Sequence, residues 1–322
     1  MTTFGDQVFQ YGGTPVGSQG PIPFAGGRHW FVDGTNGLAG NSGKSPDQAF
    51  STLALANAAV DEGDSIFVFP KTMAITDTDP SSYAETLNID TPQISIIGVG
   101  DGRVQGGLPQ IKIGGSSTTP MFNIRAPGVH IRNIGFNGAS STGGGIMLTD
   151  DGGSNYVAAG TSIVNCHFKN CKRHATNGGL GGAISWSAAG NAWQVLIKGN
   201  RFYKCLSDIV LIGTSGSVPQ DVLIEDNTFS GPAANVDVNI YTGGSGMNGV
   251  SIHNNVFPCW PAIGSGSNAM PLVLTGSVGT LTKNVFGCTG KTAGAAGDML
   301  VPTTVLMADN YQEDGATQWA RT

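Results

Sequence analysis

Apolar positions in the second half of the chain recur in one frame, an aliphatic residue followed five positions later by an aromatic, usually with Asn between them. Seven segments carry the pairs Ile131/Phe136, Ile163/Phe168, Ile197/Phe202, Ile224/Phe229, Ile252/Phe257, Leu281/Phe286 and Leu306/Tyr311. Successive aromatics lie 32, 34, 27, 28, 29 and 25 residues apart. Each frame opens with alternating residues, as in Val195-Leu196-Ile197, where Val195 and Ile197 share one face of a strand and Leu196 takes the other. Asn200, Asn227, Asn255 and Asn284 precede their aromatic by two positions, and Asn133 and Asn165 by three. Asn tolerates left-handed backbone angles and bonds locally, which suits a corner between strands, and stacked Asn side chains can form an amide ladder.

A second, weaker strand follows each aromatic, as in GIMLTD (145–150), AISWSA (183–188) and VDVNIYTG (236–243), with glycine-rich linkers between. No repeat contains an amphipathic helical stretch, and the spacings are too short for propeller blades. A repeat of this length built on short strands predicts an all-β chain wound as a parallel β-helix. At about 4.8 Å per coil, roughly ten coils make a rod on the order of 45–50 Å long.

The front of the chain differs. Residues 1–27 are rich in Gly and Pro and have isolated aromatics, Phe4, Phe9, Tyr11 and Phe24, without periodicity. They read as an extended arm whose aromatics anchor it to a partner surface. Residues 28–70 read as a cap of strand, helix and strand. Ser45 serves as N-cap and Pro46 opens the first turn, with Leu53, Ala56, Asn57 and Val60 following at helical spacing. Such a helix would close the bottom of the solenoid, where a bare coil exposes core and unpaired backbone. Residues 71–322 form the coils.

Composition narrows the surface. Charged residues are 12% of the 322, Gly numbers 50, and the net charge is −6. That balance argues against a nucleic-acid partner, which needs a basic stripe. No apolar run approaches the roughly 20 residues of a membrane span. Cys166, Cys171, Cys205, Cys259 and Cys288 lack the spacing of ligand pairs and occupy related places in successive frames, as thiols stacked in a core would. No cofactor or metal site is predicted.

Candidate chemistry is sparse. GLAGNSGKS (37–45) has five residues between Gly37 and Gly43 where the phosphate-loop pattern needs four, so it reads as an ordinary loop. Asp150 and Asp151 run into Gly152-Gly153 and read as a solvated turn. Lys198 with Glu225 and Asp226 one coil later reads as surface pairing. His29, His130, His167, His174 and His253 are dispersed without a nucleophile beside them, so no catalytic residue is assigned. Trp186, Trp193, Tyr241 and Trp260 lie on or near the second strands and loops, as candidate contacts for sugar rings or for a neighbouring subunit.

The stretch from Trp30 to Gly100, VDGTNGLAGNSGKSPDQAFSTLALANAAVDEGDSIFVFP and then ISIIGVG, resembles the opening of pectate-lyase-like β-helix proteins, and GVHIRNIGF (128–136) carries the resemblance into the coils. It implies a single-stranded right-handed parallel β-helix with a short N-terminal capping helix. The arm MTTFGDQVFQYGGTPVG ahead of such a helix looks like virion proteins of tailed bacteriophages. That second resemblance implies a capsid-decorating or spike protein on the surface of head or tail, made in the host cytoplasm. Residues 1–27 would hold it to the major capsid protein or another virion protein, most simply as a homotrimer of parallel rods. Two rivals share the scaffold: a polysaccharide lyase or glycoside hydrolase, marked by carboxylates meeting in one groove, and a non-catalytic adhesin for a host-surface glycan, marked by exposed aromatics.

Overall fold

The computed structural model describes residues 27–71, 82–100, 108–112, 119–138, 144–150, 157–171, 182–186, 192–214, 216–230, 238–258, 270–287 and 299–312, and the backbone of Gln10–Tyr11 and Thr14–Pro15, which pair antiparallel. The chain is a single-stranded right-handed parallel β-helix. Its first sheet holds ten strands in sequence order, one per coil: His29–Asp33, Ser65–Phe69, Ser95–Gly98, His130–Arg132, Ser162–Val164, Leu196–Lys198, Leu223–Glu225, Asn248–His253, Val278–Thr282 and Val305–Ala308. A second sheet stacks Gln110–Lys112, Gly135–Asn137, His167–Lys169 and Arg201–Tyr203. Bridges at Thr228 continue it to Val256–Phe257, Val285–Phe286 and Tyr311–Gln312. A third sheet of seven strands runs from Leu87–Ile89 to Met270–Val273.

Among the described residues five coils therefore have three strands where the sequence suggested two, because the aromatic occupies a short strand of its own. The corner that sets it off spans two residues, the first in the left-handed region. Asn133, Asn165, Gly199, Asp226, Asn254, Lys283 and Asp309 take that position with φ between 52° and 65°. A Cβ on Gly199 would lie 2.4 Å from Asn165 Oδ1, so glycine also relieves a close approach there.

The second corner residue points inward and forms the ladder. Asn200, Asn227, Asn255, Asn284 and Asn310 are buried one above another. Asn200 Nδ2 donates to Asn227 Oδ1 (3.1 Å), Asn227 Nδ2 to Asn255 Oδ1 (3.0 Å), Asn255 Nδ2 to Asn284 Oδ1 (3.0 Å) and Asn284 Nδ2 to Asn310 Oδ1 (3.0 Å). Each Nδ2 also donates to a carbonyl of the preceding coil, as Asn227 does to Ile197 (2.9 Å). Cys166 and Ile134 fill the same position in the two coils below, and Cys166 N donates to Asn200 Oδ1 (2.8 Å). The ladder leaves few buried amide groups unmatched, which is what makes a polar interior column tolerable.

Beside it, Phe136, Phe168, Phe202, Phe229, Phe257 and Phe286 form one continuous stack, with centroids 4.5–5.2 Å apart and planes within 2–12° of parallel. Below, Phe122 meets Phe136 edge-on at 89°. Cys171 and Cys205 are buried, and each thiol lies against a backbone carbonyl of the coil beneath, Phe136 for one and Phe168 for the other. Burial raises the Cys205 thiol well above its ordinary value and pushes Cys166 up to about 12, so these are packed thiols and poor nucleophiles. Cys259 and Cys288 lie outside the described residues.

Two expectations need correction. In the last coil Leu281 pairs with Met307 and Phe286 with Gln312, so the register lies one residue beyond the Leu306/Tyr311 frame. Leu306 and Tyr311 instead face solvent, at 65% and 41% exposure. The Asn ladder decides this register, because Asn310 can continue it only if the strand shifts by one residue. The capping helix is also divided. Pro46–Gln48 is a single 3-10 turn on which Ser45 makes no side-chain cap, and Phe50 is drawn into the sheet edge against Val32. The α-helix is Leu53–Ala59, capped by Thr52 Oγ1, which accepts from Leu55 N (3.3 Å). Glu85 completes the cap by accepting from Leu53 N (3.0 Å) and Ala54 N (2.7 Å). The helix buries Leu53 and Ala56 against Trp30, Val32 and Ile66 at the bottom of the core, as a closing element must.

Candidate functional site

Outward-pointing side chains on the first sheet fall into two columns, set by the pleat and by in-register pairing between coils. In one, His130 pairs in register with Ser162. The His130 Nδ1 lies 2.5 Å from Ser162 Oγ, and burial holds the imidazole below its ordinary value, with Arg132 adding to the effect. A neutral imidazole against a serine hydroxyl is the contact a base makes with a nucleophile. The sequence reading placed no nucleophile beside His130. The signal was present, since each residue immediately precedes the inward isoleucine of its frame, Ile131 or Ile163, and stacking superposes them.

In the other column, Lys198, Glu225 and His253 stack over three coils. Lys198 Nζ donates to Glu225 Oε1 (2.8 Å) and lies 3.5 Å from Asp226 Oδ2, and His253 Nε2 is 3.1 Å from Glu225 Oε2. The hydrogen bond it donates to Glu225 raises the Lys198 pKa. This is the surface pairing expected, extended by a histidine that sequence spacing alone did not join to it. With both Glu225 oxygens engaged, the cluster is better suited to holding register than to moving a proton.

A further carboxylate lies inside. Asp208 is wholly buried, and Ser230 Oγ donates to its Oδ1 (2.7 Å) while Ser230 N (2.9 Å) and Asn239 Nδ2 (2.7 Å) donate to Oδ2. Burial outweighs these bonds and pushes its pKa up to about 7.

The expected contact residues separate. Trp186 is fully buried, sharing the inner face of its strand with Ile184, and so offers no surface to a sugar or a subunit. Its i, i+2 spacing from Ile184 carried that information. Trp193 is 42% exposed, in a column with Gln220, Asn248 and Val278 where the third sheet turns into the first. Tyr241 is half-buried on the outer side of the third sheet, between Val210 and Val273. Trp260, Asp151, His174 and the arm residues Phe4, Phe9 and Phe24 lie outside the described residues, as does the side chain of Tyr11. Asp150 makes an isolated antiparallel bridge to Val157. The exposed aromatic that sequence reasoning passed over is Tyr203, hidden in a frame noticed for Phe202.

Among the described residues no group of His, Cys, Asp and Glu is arranged to hold a metal ion, and no helix is long and apolar enough to cross a membrane.

No family model and no curated protein sequence matches the chain. Solved structures similar to it include a rhamnogalacturonan lyase, at 13% identity and a TM-score of 0.45 over 91% of this chain and 89% of that one. The pectate lyase Pel9A is 14% identical, with a TM-score of 0.44 over 88% and 78%. ORF18 of Geobacillus virus E2 is 12% identical, with a TM-score of 0.39 over 81% and 58%. At identities and TM-scores this low the likenesses assign neither a family nor an activity.

Proposed function

We propose that the protein is a structural component of a tailed-bacteriophage particle, a β-helical decoration or spike that projects from the virion surface and is held there by residues 1–27. The observation that carries this reading is the pair of internal columns, an unbroken stack of six Phe beside a ladder of five Asn. Together they tie consecutive coils into one stiff rod, and rigidity along an axis is what a projecting element requires. The paired charges on the outer face of the first sheet serve register in the same scaffold. Association as a homotrimer of parallel rods belongs to this proposal, since symmetric packing would cover lateral faces.

The test is attachment. Purified particles lacking the protein are incubated with the full chain or with a chain starting at residue 28, then pelleted and imaged by cryo-electron microscopy. The full chain is expected to decorate the particle at a fixed site while the shortened chain stays in the supernatant; equal binding by the shortened chain refutes the anchor. Sedimentation equilibrium measures the trimer.

A second reading, a glycan-cleaving enzyme, is favoured by one contact, the His130–Ser162 pair. A reducing-sugar assay on surface polysaccharides, repeated with Ser162→Ala, decides it. Turnover abolished in the variant would replace the structural reading.

A further inference from the structure

The outward column that holds His130 and Ser162 continues in both directions. Ser95 lies in register with His130 one coil below, and Leu196 with Ser162 one coil above. In the adjacent column Ile97, Arg132 and Val164 are stacked over the same three coils that carry Ser95, His130 and Ser162. The 2.5 Å contact between His130 Nδ1 and Ser162 Oγ therefore has a guanidinium on its flank and aliphatic side chains beside and above the serine. Arg132 is close enough to help hold the imidazole neutral, and it forms no ion pair or side-chain hydrogen bond among the described residues. Ser95 Oγ is fully buried and has no hydrogen-bond partner. A buried hydroxyl without a partner is uncommon, and a polar group seated on this column would give it one. Ser162 is 9% exposed, with His130, Arg132, Ile97 and Leu196 half-buried around it, so only a small group can approach the hydroxyl.

We propose that Ser162 and His130 form a nucleophile–base pair that hydrolyses short-chain carboxylic esters, with Arg132 facing the oxyanion. Ser162 Oγ adds to the ester carbonyl carbon as its proton passes to His130 Nδ1. The negative charge that develops on the carbonyl oxygen is met by the Arg132 guanidinium. The carbon–oxygen bond to the alcohol then breaks, and the imidazolium returns the proton to the departing alcohol oxygen. Water next adds to the acyl-serine, giving its proton to Nδ1, and Ser162 Oγ leaves and takes that proton back, which frees the carboxylic acid. Leu196 and Val164 suit the apolar end of a short acyl chain. A serine beside a neutral imidazole transfers acyl groups, whereas glycosidic bonds are cut by a carboxylate pair. The inference rests on the same contact as the enzymatic reading above and differs in the bond cleaved, and it uses no part of the structural reading.

The full chain is assayed with p-nitrophenyl acetate, and separately treated with a fluorophosphonate and mapped by tandem mass spectrometry. Nitrophenolate release above the buffer rate and a single phosphonylated residue, Ser162, are expected. Ser162→Ala and His130→Ala should each lower turnover by about a hundredfold. Arg132→Gln should lower kcat by about tenfold with KM unchanged, less than a buried oxyanion donor because the guanidinium is half-exposed. Ser251→Ala, which removes a hydroxyl three coils above Ser162 in the same column, should leave the rate as it is. Thermal unfolding of each variant is compared with the parent to exclude misfolding, and the labelling uses the parent alone. The proposal is overturned if the parent releases no nitrophenolate above buffer, if Ser162 takes no label, or if Ser162→Ala turns over like the parent. An unchanged kcat in Arg132→Gln overturns the part given to Arg132. A reducing-sugar assay does not register ester cleavage, so failure here is distinct from failure of the glycan-cleaving reading and of arm attachment.

Discussion

A single ladder asparagine illustrates how much one side chain holds in this interior. Asn227 donates to Ile197 O and Asn255 Oδ1, and its own Oδ1 accepts from both the backbone and the side chain of Asn200. Asn227→Ala would strand these partners in a dry column, at a cost of about 2–4 kcal/mol, measurable as a lower denaturation midpoint with an unchanged slope. Asp208 behaves oppositely with pH. Its folded-state pKa of about 7 stands above the ordinary 3.8, so the folded protein holds the proton more tightly than the unfolded chain does. This contribution is complete below the unfolded value and is lost as pH rises through about 7. Stability should therefore fall between roughly pH 4 and 7 with a slope of up to about 1.4 kcal/mol per pH unit. Asp208→Asn, compared with the parent across that range by urea unfolding, should remove this component of the slope. An unchanged slope would show that Asp208 is not the titrating group.

At the scale of strands and helix, local patterning competes with register. In the terminal coil the aromatic frame favours Leu306 and Tyr311 inside, and the ladder puts Asn310 inside; the ladder prevails because a missed buried amide costs more than an exposed apolar residue at a coil end. Paired substitutions report the outcome. Leu306→Ser should change stability by no more than about 0.5 kcal/mol, as at an exposed site, whereas Met307→Ser, which removes packing against the core, should cost about 1–2 kcal/mol. The reverse ranking would restore the frame read from sequence. The capping helix follows the same logic. Ser-Pro-Asp is a sound start signal, yet Phe50 gains more by joining the sheet edge beside Val32, and the helix restarts at Thr52.

For the whole molecule, neighbour coupling is the governing property, because each coil touches only the coil above and the coil below. Phe229 sits in mid-stack between Phe202 and Phe257, while Phe286 lies in the coil just before the last strand of the first sheet, Val305–Ala308. Phe229→Ala should lower amide-exchange protection in the coils on both sides of the gap, and Phe286→Ala chiefly in the last two coils. Uniform loss in both variants would mean that the rod unfolds as one cooperative unit. Rigid stacking also explains where chemistry can be placed. Outward residues repeat at about 4.8 Å up each face, so a site is a short vertical run of side chains drawn from segments about 30 residues apart in sequence.

The β-helix was legible in the linear order of residues because its period is long, repeated and tied to two demanding side chains. Phe at one point of the frame and Asn near the corner have few other ways to be satisfied together. Burial of Trp186 is legible too, through its parity with Ile184 on the same strand. Tertiary structure alone decided what stands beside what on the outer faces. Ser162 against His130, His253 against Glu225, and Tyr203 among Arg201, Lys204 and Lys169 depend on the number of residues each linker spends between coils. A linker of any length returns the chain to the same core but can shift its surface neighbours, so the inward pattern constrains the fold while the outward contacts await the stacking itself.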